Sequence, residues 1–157
     1  MKLVIISDTH GEIDKSIEVL NSLSDVDLFI HLGDYSKDAK EIQIKTGIDM
    51  INVKGNCDIN DNEVSEEEII EVKGKRIFLT HGHRYNCKWG LDNLYYRASE
   101  LEVDAILFGH IHQPVNIVEG DILIFNPGSI SKPRGGSKKS YGIITIDRDL
   151  NSKIIEL

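Results

Sequence analysis

Five short groups of chemically active residues recur along the chain, and each group directly follows an apolar run. They combine imidazole, carboxylate and amide oxygen, a mixed donor set that suits Mn, Fe, Ni or Zn rather than calcium. They lack the thiolates of a structural zinc site. The sequence therefore predicts a transition-metal site whose seven candidate ligands are Asp8, His10, Asp34, Asn56, His81, His110 and His112.

The spacing within these groups bears on the number of ions they could hold. Asp8 and His10 are two residues apart, as are His110 and His112, so in an extended chain each pair points to one side. The seven ligands exceed the about four to six positions of one ion, and two ions sharing a carboxylate, with Asp34 as candidate bridge, fit better. Any one pair could also be ordinary turn chemistry. Because four of the six histidines fall in the set, metal binding is favoured.

The elements that must position these ligands follow from apolar periodicity. Continuous apolar runs predict buried strands at residues 3–6, 28–30 and 105–108. Apolar residues at steps of three and four predict helices over 13–23, 37–45 and 91–101, the second ended by Gly47. A third strand near 50–53 completes a βαβαβ order in the first third of the chain, which favours a parallel sheet.

The later part of the chain has a different pattern of apolar residues, which predicts mainly short strands. Residues 68–80 predict two strands joined at Gly74-Lys75, and short strands are expected near 115–118, 122–125, 141–146 and 153–155. Tight connections between them indicate antiparallel pairing. No repeat or linker divides the sequence, so we expect a single α/β domain over residues 1–157 whose later half adds a mainly antiparallel sheet.

Composition narrows the class of protein. The chain has 157 residues, a formal net charge of −8, 40% apolar and 28% charged residues, as one globular domain does. The acidic balance argues against extended binding to nucleic acid or to an anionic membrane. No apolar run approaches the about 18 residues of a membrane span. Cys57 and Cys87 form neither a CxxC motif nor a disulfide framework, so a cytoplasmic protein with reduced thiols is expected.

The motifs SDTHG, GD, GN, HGH and GHIH, in this order, resemble those of the calcineurin-like metallophosphoesterases. The short length and the segment NPGSISKPR resemble the small YfcE-type phosphodiesterase branch of that family. The resemblance implies a mixed α/β fold in which two sheets form a sandwich flanked by helices, a four-layer αββα architecture. It also implies two ions, one held by Asp8, His10, Asp34 and His112, the other by Asp34, Asn56, His81 and His110.

The activity implied by the resemblance is a metal-dependent phosphodiesterase that hydrolyses small phosphate esters by attack of a metal-bridging hydroxide. Two divalent ions per chain are expected, Mn²⁺ first, with Ni²⁺, Fe²⁺ and Zn²⁺ as alternatives. A homodimer is left open. The competing hypothesis is a catalytically weak or inactive binding scaffold of the same fold.

One motif departs from the family pattern. Where relatives have GNH followed by an acidic residue, this chain has Gly55-Asn56-Cys57-Asp58. A thiol can donate a proton but brings no positive charge to the transition state. Asn56, Cys57 and Asp58 are therefore the candidate catalytic residues, with Asp58 expected to orient a ligand, and we expect weak turnover that is best with good leaving groups.

Three further features are left with two interpretations. His31 is expected in the core or beside the ligands, and His83 either beside the ligands or at the surface. The basic loop over residues 126–140 is either a flexible rim that attracts an anionic substrate or a solvated loop.

Overall fold

The computed structural model describes the whole chain, Met1–Leu157. It contains ten strands and three α-helices. The strands are β1 (Lys2–Ile6), β2 (Leu28–His31), β3 (Met50–Asn52), β4 (Glu67–Val72), β5 (Lys75–Thr80), β6 (Ala105–Leu107), β7 (Pro114–Glu119), β8 (Ile122–Pro127), β9 (Ser140–Ile146) and β10 (Leu150–Glu156). The helices are α1 (Asp14–Ser22), α2 (Ser36–Thr46) and α3 (Asp92–Glu100), and a 3₁₀ turn spans His83–Tyr85.

The three predicted helices are confirmed. The end of α2 shows why the sequence marks it clearly, because Gly47 has a left-handed φ of 70° and its N–H donates to the carbonyl of Gln43. None of the helices has the length and apolar character needed to cross a bilayer.

The first sheet has the strand order β10-β9-β1-β2-β3. As predicted, β1, β2 and β3 are parallel and are joined by α1 and α2. Contrary to the expectation of a separate later sheet, β9 and β10 also belong here, with β9 antiparallel to β1. Strand β2 pairs with one edge of β1, and the apolar strand β9 pairs with the other.

The second sheet has the order β4-β5-β6-β8-β7, and the prediction that it is mainly antiparallel was wrong. Its central strands β5, β6 and β8 are parallel, and only the edge strands β4 and β7 are antiparallel. The reason lies in the connections. Helix α3 carries the chain back between β5 and β6, and β7 does the same between β6 and β8, so each central strand runs in the same direction.

The core has three apolar layers separated by the sheets. Alternate residues of β1 illustrate the arrangement, because Leu3 and Ile5 face the second sheet whereas Val4 and Ile6 face α1 and α2. On the far side, Leu94 and Ala98 of α3 pack on the outer face of the second sheet. The result is the expected four-layer αββα architecture.

Candidate metal centre

The candidate ligands follow the carboxyl ends of five parallel strands, as predicted, but these strands belong to two sheets. Asp8 and Asp34 follow β1 and β2 of the first sheet, whereas His81 and His110 follow β5 and β6 of the second. The site therefore lies where the ends of the two sheets meet, not in the crevice of a single sheet.

The backbone at these positions is left-handed and not extended as predicted, yet Asp8 and His10 still lie in one cluster. The φ angles are 56° at Asp8, 48° at His10, 60° at Asp34, 70° at His110 and 58° at His112. Such values are uncommon for residues with a side chain and cluster at functional sites. The turn separates His110 from His112, so the two side chains serve different parts of the site.

One cluster consists of Asp8, His10, Asp34 and His112, whose donor atoms all lie within 4.8 Å of one another. The Nε2 atom of His112 is 3.1 Å from Asp8 Oδ1 and 3.2 Å from His10 Nε2. The same His10 atom is 3.6 Å from Asp34 Oδ2. Three of these residues are buried and His10 is half-buried.

A second group of side chains adjoins the first through Asp34. His81 Nε2 is 3.4 Å from Asp34 Oδ1 and 3.2 Å from His110 Nδ1. Asn56 is exposed, and its amide contacts Cys57 Sγ at 3.7 Å rather than the imidazoles. Among the predicted ligands, the Asn56 side chain makes its hydrogen bond to Cys57 and not to another ligand.

The hydrogen bonds of two histidines fix how their rings face the site. His112 Nδ1 lies 2.6 Å from the carbonyl of Lys132, and His81 Nδ1 lies 2.7 Å from the carbonyl of Leu32. A carbonyl only accepts, so both Nδ1 atoms are the donors and each neutral ring presents an Nε2 lone pair to the site. This backbone support is typical of metal-bound histidine.

The lone pairs of the Asp8 carboxylate and the His112 ring show whether a cation would fit between these side chains. Asp8 Oδ1 is buried and accepts no hydrogen bond, although His112 Nε2 is 3.1 Å away. Carboxylate oxygen and imidazole lone pairs placed this close repel one another unless a positive charge lies between them. The donor set and its orientation therefore fit divalent metal ions.

Burial and neighbouring charges shift the pKa values of the candidate ligands. Burial acts to raise the pKa of Asp8, but His112 and His81 outweigh it and hold the pKa below its usual range. Burial lowers the pKa of His10, and it lowers that of His110 to about 4 with His81 contributing. For His112, burial acts downward, but the Asp8 carboxylate raises the pKa above its ordinary value.

Cys57 and Asp58 lie beside the shared carboxylate. The Cys57 N–H donates to Asp34 Oδ1 at 3.0 Å and its thiol donates to Oδ2 at 3.3 Å. Burial, together with Asp34, raises the pKa of the thiol to about 11, so it stays protonated at neutral pH. The Asp58 carboxylate accepts from the N–H groups of Ser36 and Gly55, which holds the loops on either side of Asp34 together.

Close packing at Gly33 explains the glycine before Asp34. A Cβ at this position would lie 2.7 Å from His81 Nδ1 and 2.8 Å from the N atom of Gly55, and φ is 96°. Only glycine allows this approach between loops of the two sheets.

The loop from Asn126 to Ser140 supports the ligands, a role that neither sequence interpretation included. The Ser129 and Ser131 hydroxyls each donate to the carbonyl of Asp8 at 2.9 Å. Asn126 donates to the Gly109 carbonyl at 2.7 Å, next to His110. The first half of the loop is buried, and only the later basic residues resemble the predicted rim. The two serines of the segment NPGSIS were the signal that the sequence offered for this role.

His31 occupies a buried position within a second supporting network. Gly33 N–H donates to His31 Nδ1 at 3.3 Å, so His31 Nε2 carries the proton that it donates to Thr9 Oγ1 at 3.1 Å. Thr9 in turn donates to Asp38 Oδ2 at 2.6 Å, which also accepts from Gly11 N–H. The network joins both ligand loops of the first sheet to α2.

His83 lies beside the second group of ligands. Its ring centroid is 5.5 Å from that of His81 and 6.0 Å from that of His110. His83 is half-buried, so it lies beside the ligands and keeps part of its surface in solvent.

The chain matches one protein family over nearly its whole length. The model of the calcineurin-like phosphoesterase superfamily domain matches residues 1–149. The chain belongs to this superfamily. As a calcineurin-like phosphoesterase it is a phosphoric ester hydrolase, and the metal-dependent chemistry of the family agrees with the Asp and His cluster.

Individual relatives cover nearly the whole calcineurin-like domain. The probable metallophosphoesterase YsnB of Bacillus subtilis is 36% identical over 151 residues, covering 95% of this chain and 86% of YsnB. The phosphodiesterase YfcE of Escherichia coli K12 is 30% identical, covering 98% and 91%. The crystal structure of a predicted phosphoesterase from Streptococcus pneumoniae TIGR4 superposes with a TM-score of 0.84 at 31% identity, covering 99% and 88%.

Proposed function

We propose that this calcineurin-like phosphoesterase is a phosphodiesterase that hydrolyses small phosphate esters at a centre of two divalent ions. The observation that carries the proposal is the orientation of His81 and His112. Their Nε2 atoms face the Asp34 and Asp8 carboxylates, an arrangement that a divalent cation between each pair would stabilise.

The proposed ligand sets share Asp34. Asp8, His10, Asp34 and His112 would hold one ion, and Asp34, Asn56, His81 and His110 would hold the other. When bound, two divalent ions would supply Lewis acidity, which would polarise the phosphate and lower the pKa of the attacking water. Mn²⁺ is proposed first, and Ni²⁺, Fe²⁺ and Zn²⁺ suit the same donors.

The other residues of the chain position this chemistry. Cys57 would hold both oxygens of Asp34 with its N–H and thiol, and because the S–H proton is donated to Asp34 Oδ2, the thiol could protonate the leaving oxygen only after releasing that carboxylate. Asp58 acts as a positioning residue through its two backbone partners. Because no cationic acid stands at residue 57, turnover is proposed to be weak with poor leaving groups.

The experiment compares hydrolysis of bis-p-nitrophenyl phosphate and p-nitrophenyl phosphate after chelator treatment and re-addition of Mn²⁺, Ni²⁺, Zn²⁺ or Mg²⁺. We expect activity to disappear with the chelator, to return with metal and to favour the diester. Asp34→Asn should lower the rate at least about a hundredfold, as loss of an electrostatic group at a reacting centre does. Asp149→Asn, at an exposed turn, is the matched control. A metal-independent rate, or full activity in Asp34→Asn, would contradict the proposal.

Because Cys57 stands where relatives have histidine, a catalytically inactive binding scaffold is the second candidate function. A scaffold would bind metal and gain thermal stability from it without hydrolysing either ester. The same metal titration therefore separates the two functions.

The proposal also covers the domain organisation, the location and the oligomeric state of the protein. Residues 1–157 are proposed to form one domain, since the apolar layer between the sheets includes both Leu3 and Ile146. A cytoplasmic location is proposed from the two unpaired cysteines, and sedimentation would test the homodimer.

A further inference from the structure

The loop over residues 126–140 contains four cations and no acidic residue. Two of these cations are neutralised by carboxylates of other segments, at 2.9 Å in the pair Lys138–Glu156 and at 3.7 Å in the pair Lys139–Glu12. The other two, Lys132 and Arg134, are exposed and form no salt bridge. The loop therefore carries two positive charges that the protein itself leaves without a partner.

The backbone of these two residues holds His112 from both sides. The His112 ring donates from Nδ1 to the carbonyl of Lys132 at 2.6 Å, and the Arg134 N–H donates to the carbonyl of His112 at 3.1 Å. The Ser137 hydroxyl donates to the same carbonyl at 3.3 Å. Both cationic side chains thus start from backbone that is hydrogen-bonded to a candidate metal ligand.

The two charges also act on the candidate ligands. Burial lowers the pKa of His10, and the Lys132 ammonium acts in the same direction. At His112, burial and the Arg134 guanidinium both act to lower the pKa, against the stronger effect of the Asp8 carboxylate. Because salt screens exposed charges beyond about 8–10 Å, the two cations lie near the cluster that contains His10 and His112.

The proposed reaction changes the charge of the phosphate group at this cluster. A diester with one negative charge takes up water, one P–O bond breaks, and an alcohol and a monoester are formed. The second pKa of a monoester is about 6, so above this pH its proton passes to solvent and the product carries two negative charges. Lysine and arginine both bind such phosphate oxygens, and their attraction grows with the charge of the anion.

We propose that Lys132 and Arg134 form a phosphate clamp that binds the dianionic monoester product more tightly than the monoanionic diester substrate. The inference rests on the proposed function, because that reaction brings the phosphate group to the metal centre. The clamp makes the enzyme sensitive to its own product. Hydrolysis slows as monoester accumulates, and full activity requires a second reaction that consumes the monoester.

The test measures binding of methyl phosphate and dimethyl phosphate to the Mn²⁺-loaded protein at pH 8 by calorimetry. The two probes differ by one methyl group and one negative charge. In the double variant Lys132→Gln and Arg134→Gln, Kd should rise about tenfold for methyl phosphate but about threefold for dimethyl phosphate, because the Coulomb energy doubles with the charge. The preference for the dianion should therefore shrink about threefold.

The matched control removes the other two cations of the same loop. In Lys138→Gln with Lys139→Gln the net charge changes equally, but both lysines already pair with carboxylates. Either Kd should change less than about twofold, as expected for exposed paired charges. Measurement of bound Mn²⁺ in each variant separates weaker anion binding from loss of metal.

Separate outcomes decide the proposed function and the clamp. Hydrolysis of bis-p-nitrophenyl phosphate by the unaltered protein tests the proposed function alone, whereas calorimetry needs no turnover. The clamp is overturned if methyl phosphate does not bind, if the double variant at residues 132 and 134 weakens both probes equally, or if the control variant weakens methyl phosphate as much. If hydrolysis occurs, methyl phosphate should inhibit it competitively, about tenfold more weakly in that double variant.

Discussion

At the scale of single residues, the centre depends on atoms that point in a particular direction. Two backbone carbonyls, of Leu32 and Lys132, fix which nitrogen of His81 and His112 is protonated. The residue types were predictable from the sequence, because each group follows an apolar strand. The proton positions were not, since they depend on carbonyls 49 and 20 residues away from the respective histidines.

Cys57 gives the sharpest prediction at this scale. Cys57→His should raise kcat at least about tenfold on an alkyl phosphodiester, because an imidazolium can stabilise charge and protonate the leaving oxygen. The rate with bis-p-nitrophenyl phosphate, whose leaving group needs no acid, should change much less. Steady-state kinetics on both substrates checks this. Cys57→Ser is the matched control, and an equal gain in that variant would show that charge is not the cause.

At the scale of elements, the strand ends bring the ligands together and other loops hold them in place. The strands and helices follow from apolar periodicity, and so does the parallel βαβαβ order. The pairing of β9 with β1 and the parallel centre of the second sheet do not, because both depend on contacts between distant segments. The same holds for Ser129 and Ser131, whose partner is the carbonyl of Asp8.

These two serines should affect metal binding although neither is a ligand. In the double variant Ser129→Ala and Ser131→Ala, the Asp8 loop loses both hydroxyl donors, and metal affinity should fall about tenfold or more. Competition with a chromogenic chelator measures the affinity. Ser99→Ala is the control, because Ser99 donates to a carbonyl within α3. Unchanged affinity in the double variant would refute the supporting role of the loop.

At the scale of the whole molecule, the centre joins two sheets that also pack through apolar side chains and that meet again where Asn116 of β7 and Ser152 of β10 exchange hydrogen bonds. Asp8 of the first sheet accepts a hydrogen bond from the His110 N–H of the second at 3.1 Å. His31, Thr9 and Asp38 connect the same region to α2. Part of the stability of the fold therefore comes from buried polar groups whose protonation matters.

His31 makes that dependence measurable. Burial lowers the pKa of His31 to about 4 from 6.5, so on acidification the unfolded chain takes up the proton first. The contribution of neutral His31 to the stability of the folded protein is present above pH 6.5 and is lost as the pH falls towards 4. Between these limits the unaltered chain should lose about 2 kcal/mol more unfolding free energy than His31→Gln.

Urea unfolding at several pH values between these limits gives the comparison. The other histidines titrate in both proteins, so the difference between the two curves isolates His31. Parallel curves would show that His31 is not held neutral.

The residues that build the centre are spread from Asp8 to Lys132, and this has a consequence for the order of events during synthesis. His112 acquires its correct ring orientation only when Lys132 is in place, and Asp8 is held only when Ser129 and Ser131 have joined it. A growing chain that has emerged only as far as the end of β6 already carries Asp8, His10, Asp34 and His81, yet lacks the groups that arrange them. We therefore expect the ligands and their supporting groups to reach their final arrangement only after the segment up to Lys132 has been synthesised.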